Sequence, residues 1–241
     1  MFSRLVWIHA VLLIATASGE EPVSAVRTLI PWLLQEAESL KGISFAEVIS
    51  ATSGKRVLPV DRADPEDQRV LAAVGKALDA VLLEMNAPSS KTRSARRVNE
   101  MSSHFENALP KQLNAVSGLK CSVPKTTAGK LQRSGYPDLR LLDEKTGRIF
   151  YLDPKLFAQE SRASSLRTFY FEPKQQTNKV TEDARHLIIG IAHERMPDGT
   201  VRFARWELVD LSSFRVRLKA EFEGSNADLY RPEAIVGSGP K

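Results

Sequence analysis

The sequence predicts an α/β fold with a central mixed sheet, preceded by an N-terminal helical region. Apolar residues recur at helical spacing up to about residue 116, and short β-rich runs replace them after Gly118. One segment with helix-forming character interrupts these runs, so the order is helix, three strands, helix, strand, which is typical of an α/β protein. The 241 residues are 42% hydrophobic and 26% charged, which suits one globular domain with an appended helical region.

The first residues have the features of a secretory signal peptide, assigned to residues 1–17. Arg4 precedes an apolar run from Leu5 to Ile14, and Ala15-Thr16-Ala17 offers small residues at the cleavage position. The run is too short to span a bilayer comfortably. We therefore expect a periplasmic or secreted protein with no membrane span after signal removal; the alternative interpretation is an N-terminal core helix.

Residues 18–90 predict a helical region without visible chemistry. Helical periodicity covers residues 22–41 and ends at Gly42, a second short helix is expected over residues 43–50, and residues 53–64 form a linker. Asp64 and Pro65 then predict the N-cap and first turn of a long helix that ends before Pro88.

Residues 91–236 form the predicted second region, which opens with a basic helix over residues 94–116, bent at Pro110. The expected strands and mixed elements are residues 137–143, 148–157, 167–173, 186–194, 202–211 and 214–222. Residues 177–184 predict the start of a helix, and residues 237–241 a flexible tail. His186 and His193 flank an apolar run and are interpreted as strand-end residues.

Charge is distributed unevenly along the chain. The formal net charge is +5 overall, −3 over residues 1–90, +8 over residues 91–185 and zero over residues 186–241. Clustered Lys and Arg indicate a polyanion such as nucleic acid, although many solvated surfaces are basic as well. The single cysteine, Cys121, excludes an intramolecular disulfide framework and a multi-cysteine zinc site.

Residues 137–155 predict a β-hairpin with a four-residue loop at 144–147. Leucine and phenylalanine side chains fill one face only in the register that sets Asp143 opposite Arg148, and we expect these two residues to form a charge pair. The same register sets Asp138 opposite Asp153 on the other face, with Lys155 on that face two residues further along.

Two opposed carboxylates repel each other unless a cation or a shared proton intervenes. A Mg²⁺ ion binds such a pair, keeps several water ligands and accepts phosphate oxygens, and an adjacent ammonium can orient the attacking water or offset charge on the phosphate. The alternative is an exposed hairpin face whose acids are paired by Lys155 and Arg140.

Gly135-Tyr136-Pro137-Asp138, followed after 14 residues by Asp153-Pro154-Lys155, resembles the PD-(D/E)XK signature of the restriction-endonuclease-like nuclease superfamily. The resemblance covers roughly residues 94–195. It implies an αβββαβ core with a central mixed sheet, with Asp138 and Asp153 as metal ligands, Lys155 as the catalytic lysine, and Mg²⁺, or alternatively Mn²⁺, as the cofactor.

Members of the superfamily often add a glutamate from the first core helix, and two glutamates are available here. Glu106 flanks the apolar stripe of the basic helix, whereas Glu100 points away from it. The resemblance therefore implies Glu106 as a third metal ligand and catalytic residue, with an ordinary solvated glutamate as the alternative.

A rival triplet, Glu172-Pro173-Lys174, also fits the E-x-K pattern. Asp153 and Lys155 are preferred because hairpin pairing brings them next to Asp138 without a further assumption. Basic residues around the hairpin are candidate nucleic-acid contacts, or alternatively solvated loop residues: Lys130, Arg133, Arg162, Arg167, Lys174 and Lys179.

These observations predict a Mg²⁺-dependent endonuclease that hydrolyses DNA phosphodiester bonds by a metal-activated water. RNA is an alternative substrate, and cutting both strands favours a homodimer. Two other functions stay open: a non-catalytic nucleic-acid-binding protein of the same fold, and a secreted interaction protein.

Overall fold

The computed structural model describes residues 24–36, 38–94, 98–165, 169–219, 221 and 223–239. The predicted signal peptide lies outside these ranges. Residues Lys41–Leu218 form one compact unit, and the described residues before and after them group into a second. Within the described ranges, no helix combines the length and the apolar character needed to cross a membrane.

The described residues of the smaller unit include two α-helices and a 3₁₀ turn at Pro232–Ala234. Helix α1 spans Ser24–Gln35, so it ends at Gln35 and not at the predicted end of residue 41. Helix α5 is short, Asn226–Leu229, and begins with a capping box in which Ser225 and Asp228 exchange side-chain and backbone hydrogen bonds.

The first half of the larger unit is mainly helical, as the sequence predicts. Strand β1 (Ile43–Ser44) leads into α2 (Phe45–Ser53), and the expected linker contains strand β2 (Val57–Leu58). Helix α3 spans Pro65–Asn86. The Asp64 side chain caps it by accepting hydrogen bonds from the backbone N–H groups of Glu66 and Asp67, which confirms the predicted N-cap.

Helix α4 (Val98–Asn114) and the strands form the second half. The strands are β3 (Leu119–Ser122), β4 (Leu139–Asp143), β5 (Arg148–Ala158), β6 (Ala184–Arg195), β7 (Val201–Asp210) and β8 (Arg215–Val216). The main sheet has the order β2-β6-β5-β4-β3, with β7 also paired to β6, and β8 pairs with β1. Because β6 is parallel to β5 and β2 but antiparallel to β7, the sheet is mixed, which confirms the predicted fold class.

Several element predictions are wrong. Strand β3 was not predicted; it is held by the Asn114 amide, which bonds both the N–H and the carbonyl of Cys121. Of the strand expected over residues 167–173, the described residues 169–173 form none, because Phe169 and Phe171 pack against Phe45 instead of pairing. The strand expected over residues 214–222 shrinks to β8.

The helix expected over residues 177–184 does not form either. The Val180 N–H donates to Asn178 Oδ1, and the Thr181 N–H donates to the Tyr151 hydroxyl. Backbone donors that a helix would direct to carbonyls four residues earlier are thus taken by side chains. The crossover from β5 to its parallel neighbour β6, where described, contains only a 3₁₀ turn at Gln159–Ser161.

The sheet is buried on both faces. Helices α3 and α4 cover one face, where their apolar residues pack against alternate residues of β4, β5 and β6 such as Leu141, Phe150 and Ile189. A smaller cluster covers the other face, built from Phe45, Ile49, Ile149, Tyr151, Val180, Ala184 and Leu211. Since α3 belongs to the first cluster, the compact unit runs across the predicted region boundary at residue 90.

Charged side chains join the start of α3 to the hairpin. Arg148 and Asp143 are opposite each other in the register, but they do not pair as predicted. Arg148 donates to Asp67 and Asp64, at 2.7 Å each, and Arg69 donates to Asp143 at 2.6 Å. The expected hairpin pair is replaced because α3 presents complementary charges to both residues.

Asp67 is the centre of this network, and its loss is predicted to destabilise the fold. The side chain is fully buried and also accepts from Arg185 Nε at 2.6 Å. We expect Asp67→Ala to reduce the free energy of unfolding by about 3–5 kcal/mol, because two cations lose a buried partner. Urea unfolding measures this difference.

Glu66 provides the matched control, because it lies one residue away and forms partly exposed ion pairs with Arg69 and Lys145. Glu66→Ala should change stability far less than Asp67→Ala, because solvent-exposed ion pairs contribute little. Equal effects of the two substitutions would contradict a central role for Asp67.

Candidate active site at the hairpin

The β4–β5 hairpin has the register predicted from its alternation. Leu139 pairs with Leu152 and Asp143 with Arg148, so Asp138, one residue before β4, falls opposite Asp153. The turn closes with a hydrogen bond of 2.8 Å from the Gly147 N–H to the Asp143 carbonyl. Gly147 has φ +72°, a conformation that glycine adopts without strain.

Asp138, Asp153 and Lys155 meet at the end of the hairpin away from the turn. Lys155 Nζ lies 3.6 Å from Asp138 Oδ2 and forms a closer ion pair with Asp153 Oδ2. The side chains of Asp138, Asp153 and Lys155 are 16%, 3% and 25% exposed. The face is therefore not exposed, as the alternative expected. Lys155 does pair with both acids, whereas Arg140 pairs with Glu182 instead.

Burial and mutual repulsion set the protonation of this group. Burial, followed by the charge of Asp138, raises the pKa of Asp153 to about 7, although Lys155 opposes the shift. Burial alone would lower the pKa of Lys155, but the charges of Asp153 and Asp138 outweigh it and the pKa is raised. Lys155 therefore stays an ammonium group at neutral pH.

Lys179 lies inside the protein, contrary to the prediction of a phosphate contact. It is fully buried, and its Nζ contacts the carbonyl oxygens of Gln132 at 3.4 Å and Arg133 at 3.3 Å. Burial lowers its pKa, and the charges of Asp138, Asp153 and Glu106 only partly compensate. A side chain enclosed in this way cannot reach a phosphate on the surface.

Glu106 approaches the site from α4. Burial raises its pKa, and the charge of Asp138 raises it further, so the two carboxylates lie within each other's field. Arg133 holds this region by donating to Asn107 Oδ1 at 2.6 Å and by approaching Glu106 to 3.9 Å. The role of Glu106 as a metal ligand stays a prediction.

The donor set suits a hard divalent ion at the two aspartates. In the described ranges, no group of three or more His, Cys, Asp or Glu side chains is arranged to hold a metal. Two carboxylates nevertheless suffice for Mg²⁺, which keeps several waters. Asp153 Oδ2 is buried and, apart from its ion-pair contact with Lys155, accepts no well-formed hydrogen bond from the described residues. A divalent cation at this oxygen would share it with the Lys155 ammonium group.

The rival triplet does not join the site. Glu172 and Lys174 pair with each other at 2.9 Å, with side chains 74% and 46% exposed, and neither lies in a strand. Their geometry is that of a solvated loop, which was the other interpretation of this segment.

The remaining basic candidates have different environments. Lys130 and Arg133 are exposed in the loop that precedes Asp138. Arg162 is exposed but paired with Glu207 at 3.1 Å. Arg167 lies outside the described residues.

Sequence reasoning missed one hydrogen bond beside the site, in which the Tyr136 hydroxyl and His186 Nδ1 are 2.7 Å apart. His186 lies within β6, not at a strand end, and is fully buried; burial lowers its pKa to about 3. Strand alternation placed it on one face of the sheet, but only the parallel pairing with β5 brings it towards Tyr136.

Two comparisons with known proteins both match type II restriction enzymes. The sequence profile of the type II restriction enzyme MjaV family matches residues 38–233. The type II restriction enzyme MjaV of Methanocaldococcus jannaschii is 30% identical over 215 residues, which cover 85% of this chain and 92% of that enzyme. The matched range contains Asp138, Asp153 and Lys155.

The raised pKa of Asp153 predicts that its neutral analogue is more stable above pH 7. Because the folded-state pKa, about 7, exceeds the ordinary value of 3.8, this group destabilises the fold as pH rises between the two values. Asp153→Asn should therefore unfold at a higher temperature than the wild type at pH 8 in EDTA, with a smaller difference at pH 5. For a protein of this size, each kcal/mol of added stability raises the unfolding temperature by about 2–4 °C. Circular dichroism measures both.

Asp183 is the control with the opposite sign, because its hydrogen bonds with Arg56 lower its pKa. Asp183→Asn should leave the unfolding temperature at pH 8 unchanged or lower it. A lower unfolding temperature for Asp153→Asn at pH 8 would contradict the conclusion that the buried, ionised carboxylate destabilises the fold.

Proposed function

Because the chain belongs to the MjaV family of type II restriction enzymes, we propose that it hydrolyses DNA phosphodiester bonds with a Mg²⁺ ion held by Asp138 and Asp153. Family membership makes it a DNA-cleaving nuclease; the metal ion and the roles of the residues are the proposal. The observation that carries it is the meeting of two acids and one ammonium group on a single face of the hairpin.

The proposed site residues have different roles in hydrolysis. Asp138 and Asp153 hold the ion, whose chemistry is to lower the pKa of a bound water and offset charge on the phosphate. Lys155 lies beside both acids, so it would donate hydrogen bonds to the attacking water or to the phosphate. Glu106 supports the metal site from α4, and Mn²⁺ is an alternative ion.

DNA binding is assigned to the exposed cations near the site. Lys130 and Arg133 lie on the loop that leads to Asp138, and phosphate contacts there would place the strand over the acids. Arg162 and Lys174 would exchange their present carboxylate partners for phosphates. Arg167 completes the proposed set. Cleavage of both strands would need two such sites, which favours a homodimer.

Export is a separate proposal that rests on residues 1–17 alone. The N-terminal residue of the protein recovered from its source, determined by mass spectrometry, tests it. Cleavage after the small residues at 15–17 would support a periplasmic or secreted location, and an intact N-terminus would overturn it.

Cleavage of supercoiled plasmid tests the proposed activity. The wild type should nick or linearise the plasmid in Mg²⁺ and be inactive in EDTA. Asp138→Ala and Lys155→Ala should each lower the rate by about 100-fold or more, because each removes a group that acts on the reacting phosphate. Glu172→Ala is the matched control, since this acid is exposed and has no proposed part in cleavage. It should retain the wild-type rate.

The other functions correspond to different outcomes of this assay. Retention of DNA without cleavage in Mg²⁺ or Mn²⁺ would contradict catalysis and support a non-catalytic DNA-binding protein. Neither binding nor cleavage would support an interaction protein. A structured RNA run in parallel separates DNA from RNA as the substrate.

Lys130 should bind DNA through electrostatic attraction to its phosphate groups. We expect Lys130→Ala to weaken DNA binding equally for unrelated DNA sequences and to reduce the slope of log affinity against log salt by about 1. Fluorescence anisotropy in EDTA measures binding without cleavage. Lys145→Ala, at the hairpin turn where the lysine pairs with Glu66, should leave the slope unchanged; an unchanged slope for both would remove Lys130 from the DNA interface.

A further inference from the structure

The segment that carries Asp138 has no regular secondary structure of its own. Residues 132–138 lie between the bridge that pairs Lys125 with Leu131 and the start of β4 at Leu139. Strand pairing therefore positions Asp153 but stops one residue short of Asp138. The charge of Asp153 also repels Asp138, so other contacts must hold this segment in place.

One contact comes from β6. The Tyr136 hydroxyl and His186 Nδ1 are 2.7 Å apart, and the two rings are stacked with centroids 5.9 Å apart and an interplanar angle of 19°. His186 is fully buried, and its Nε2 has no hydrogen-bond partner among the described residues. An apolar side chain at this position would avoid the free-energy cost of removing an imidazole ring from water. The single hydrogen bond of this buried ring is directed to the Asp138 segment.

A second contact comes from the crossover between β5 and β6. Lys179 Nζ lies 3.4 Å from the Gln132 carbonyl oxygen and 3.3 Å from that of Arg133. The backbone beside Lys179 is fixed, because Asn178 Nδ2 donates to the Thr52 carbonyl and the Asn178 carbonyl accepts from the Thr127 N–H. The buried ammonium thus links a fixed part of the crossover to the first residues of the Asp138 segment.

We propose that His186 and Lys179 are positioning residues of the nuclease, which hold residues 132–138 so that Asp138 stays opposite Asp153 and the two share one metal ion. This inference rests on the proposed function. His186 acts through Tyr136, two residues before Asp138, and Lys179 acts through the carbonyls at the other end of the segment. Neither touches the reacting phosphate.

Two other roles for these side chains are inconsistent with their surroundings. His186 is no proton carrier at neutral pH, because burial keeps it neutral. Lys179 is no DNA contact, because it is fully enclosed. Positioning is the role that uses the contacts they make.

Tyr136→Phe, His186→Leu and Lys179→Met test the proposal through metal dependence. Each should raise the Mg²⁺ concentration for half-maximal plasmid cleavage by about 10-fold, with much of the rate restored at high Mg²⁺, because a displaced carboxylate weakens metal binding. Mn²⁺ affinity measured by calorimetry on DNA-free protein should fall by a similar factor. This second measurement does not depend on cleavage.

Tyr151→Phe is the matched control. Tyr151 lies on the same face, with its ring centroid 5.0 Å from that of His186, but its hydroxyl contacts Thr181 and Glu182 rather than the Asp138 segment. Its loss should lower the unfolding temperature and leave the metal dependence unchanged. The double variant Tyr136→Phe/His186→Leu should be no worse than either single variant, because both remove the same hydrogen bond.

Failure of the proposal differs from failure of the function. If the three variants only lower the unfolding temperature, as Tyr151→Phe does, the positioning role is overturned while cleavage by the wild type stands. If Mn²⁺ affinity falls in them but the wild type cleaves nothing, the positioning role stands and the nuclease proposal fails. Tyr136→Phe keeps the aromatic ring and serves as the informative variant if His186→Leu does not fold.

Discussion

The close approach of Asp138 and Asp153 is the constraint on which the site depends. Burial, followed by the charge of Asp138, raises the pKa of Asp153 to about 7, so two carboxylates that repel each other are held together at a cost to folding. Strand register, the ammonium of Lys155 and the buried contacts of the Asp138 segment all act against this repulsion. A divalent cation would relieve it directly, which is why an arrangement that is unfavourable for folding suits metal-dependent hydrolysis.

The rest of the fold holds the hairpin that carries this pair. Helix α3 is tied to the turn end of the hairpin by Asp67 and its arginine partners, while the apolar faces of α3 and α4 cover one side of the sheet. The opposite side holds the aromatic cluster around Phe45, and the acids lie at the open end of the hairpin. The hairpin is thus anchored at its turn, and its chemical groups lie at the other end.

Local patterns in the sequence predicted much of this arrangement. Alternation of apolar residues and a glycine-containing turn specify the hairpin register, and Asp64 with Pro65 specifies the start of α3, because these signals act between near neighbours. Long-range contacts escaped prediction. The pairing of Arg148 with α3, the burial of Lys179 and the bond between Tyr136 and His186 join residues 50 or more positions apart, or depend on enclosure that no local pattern reports. Residues 177–184 resemble a helix in composition, but the neighbouring Asn178 side chain takes the backbone donor of Val180, and the distant Tyr151 hydroxyl takes that of Thr181.

Anomalous diffraction from crystals soaked in Mn²⁺ would test the shared metal site most directly, since it locates the ion without reference to activity. We expect one strong peak within coordination distance of both the Asp138 and the Asp153 carboxylates, and no such peak in Asp138→Ala crystals. A peak bound by other residues, or an unchanged peak in the variant, would contradict the claim that these two acids are brought together to hold one ion.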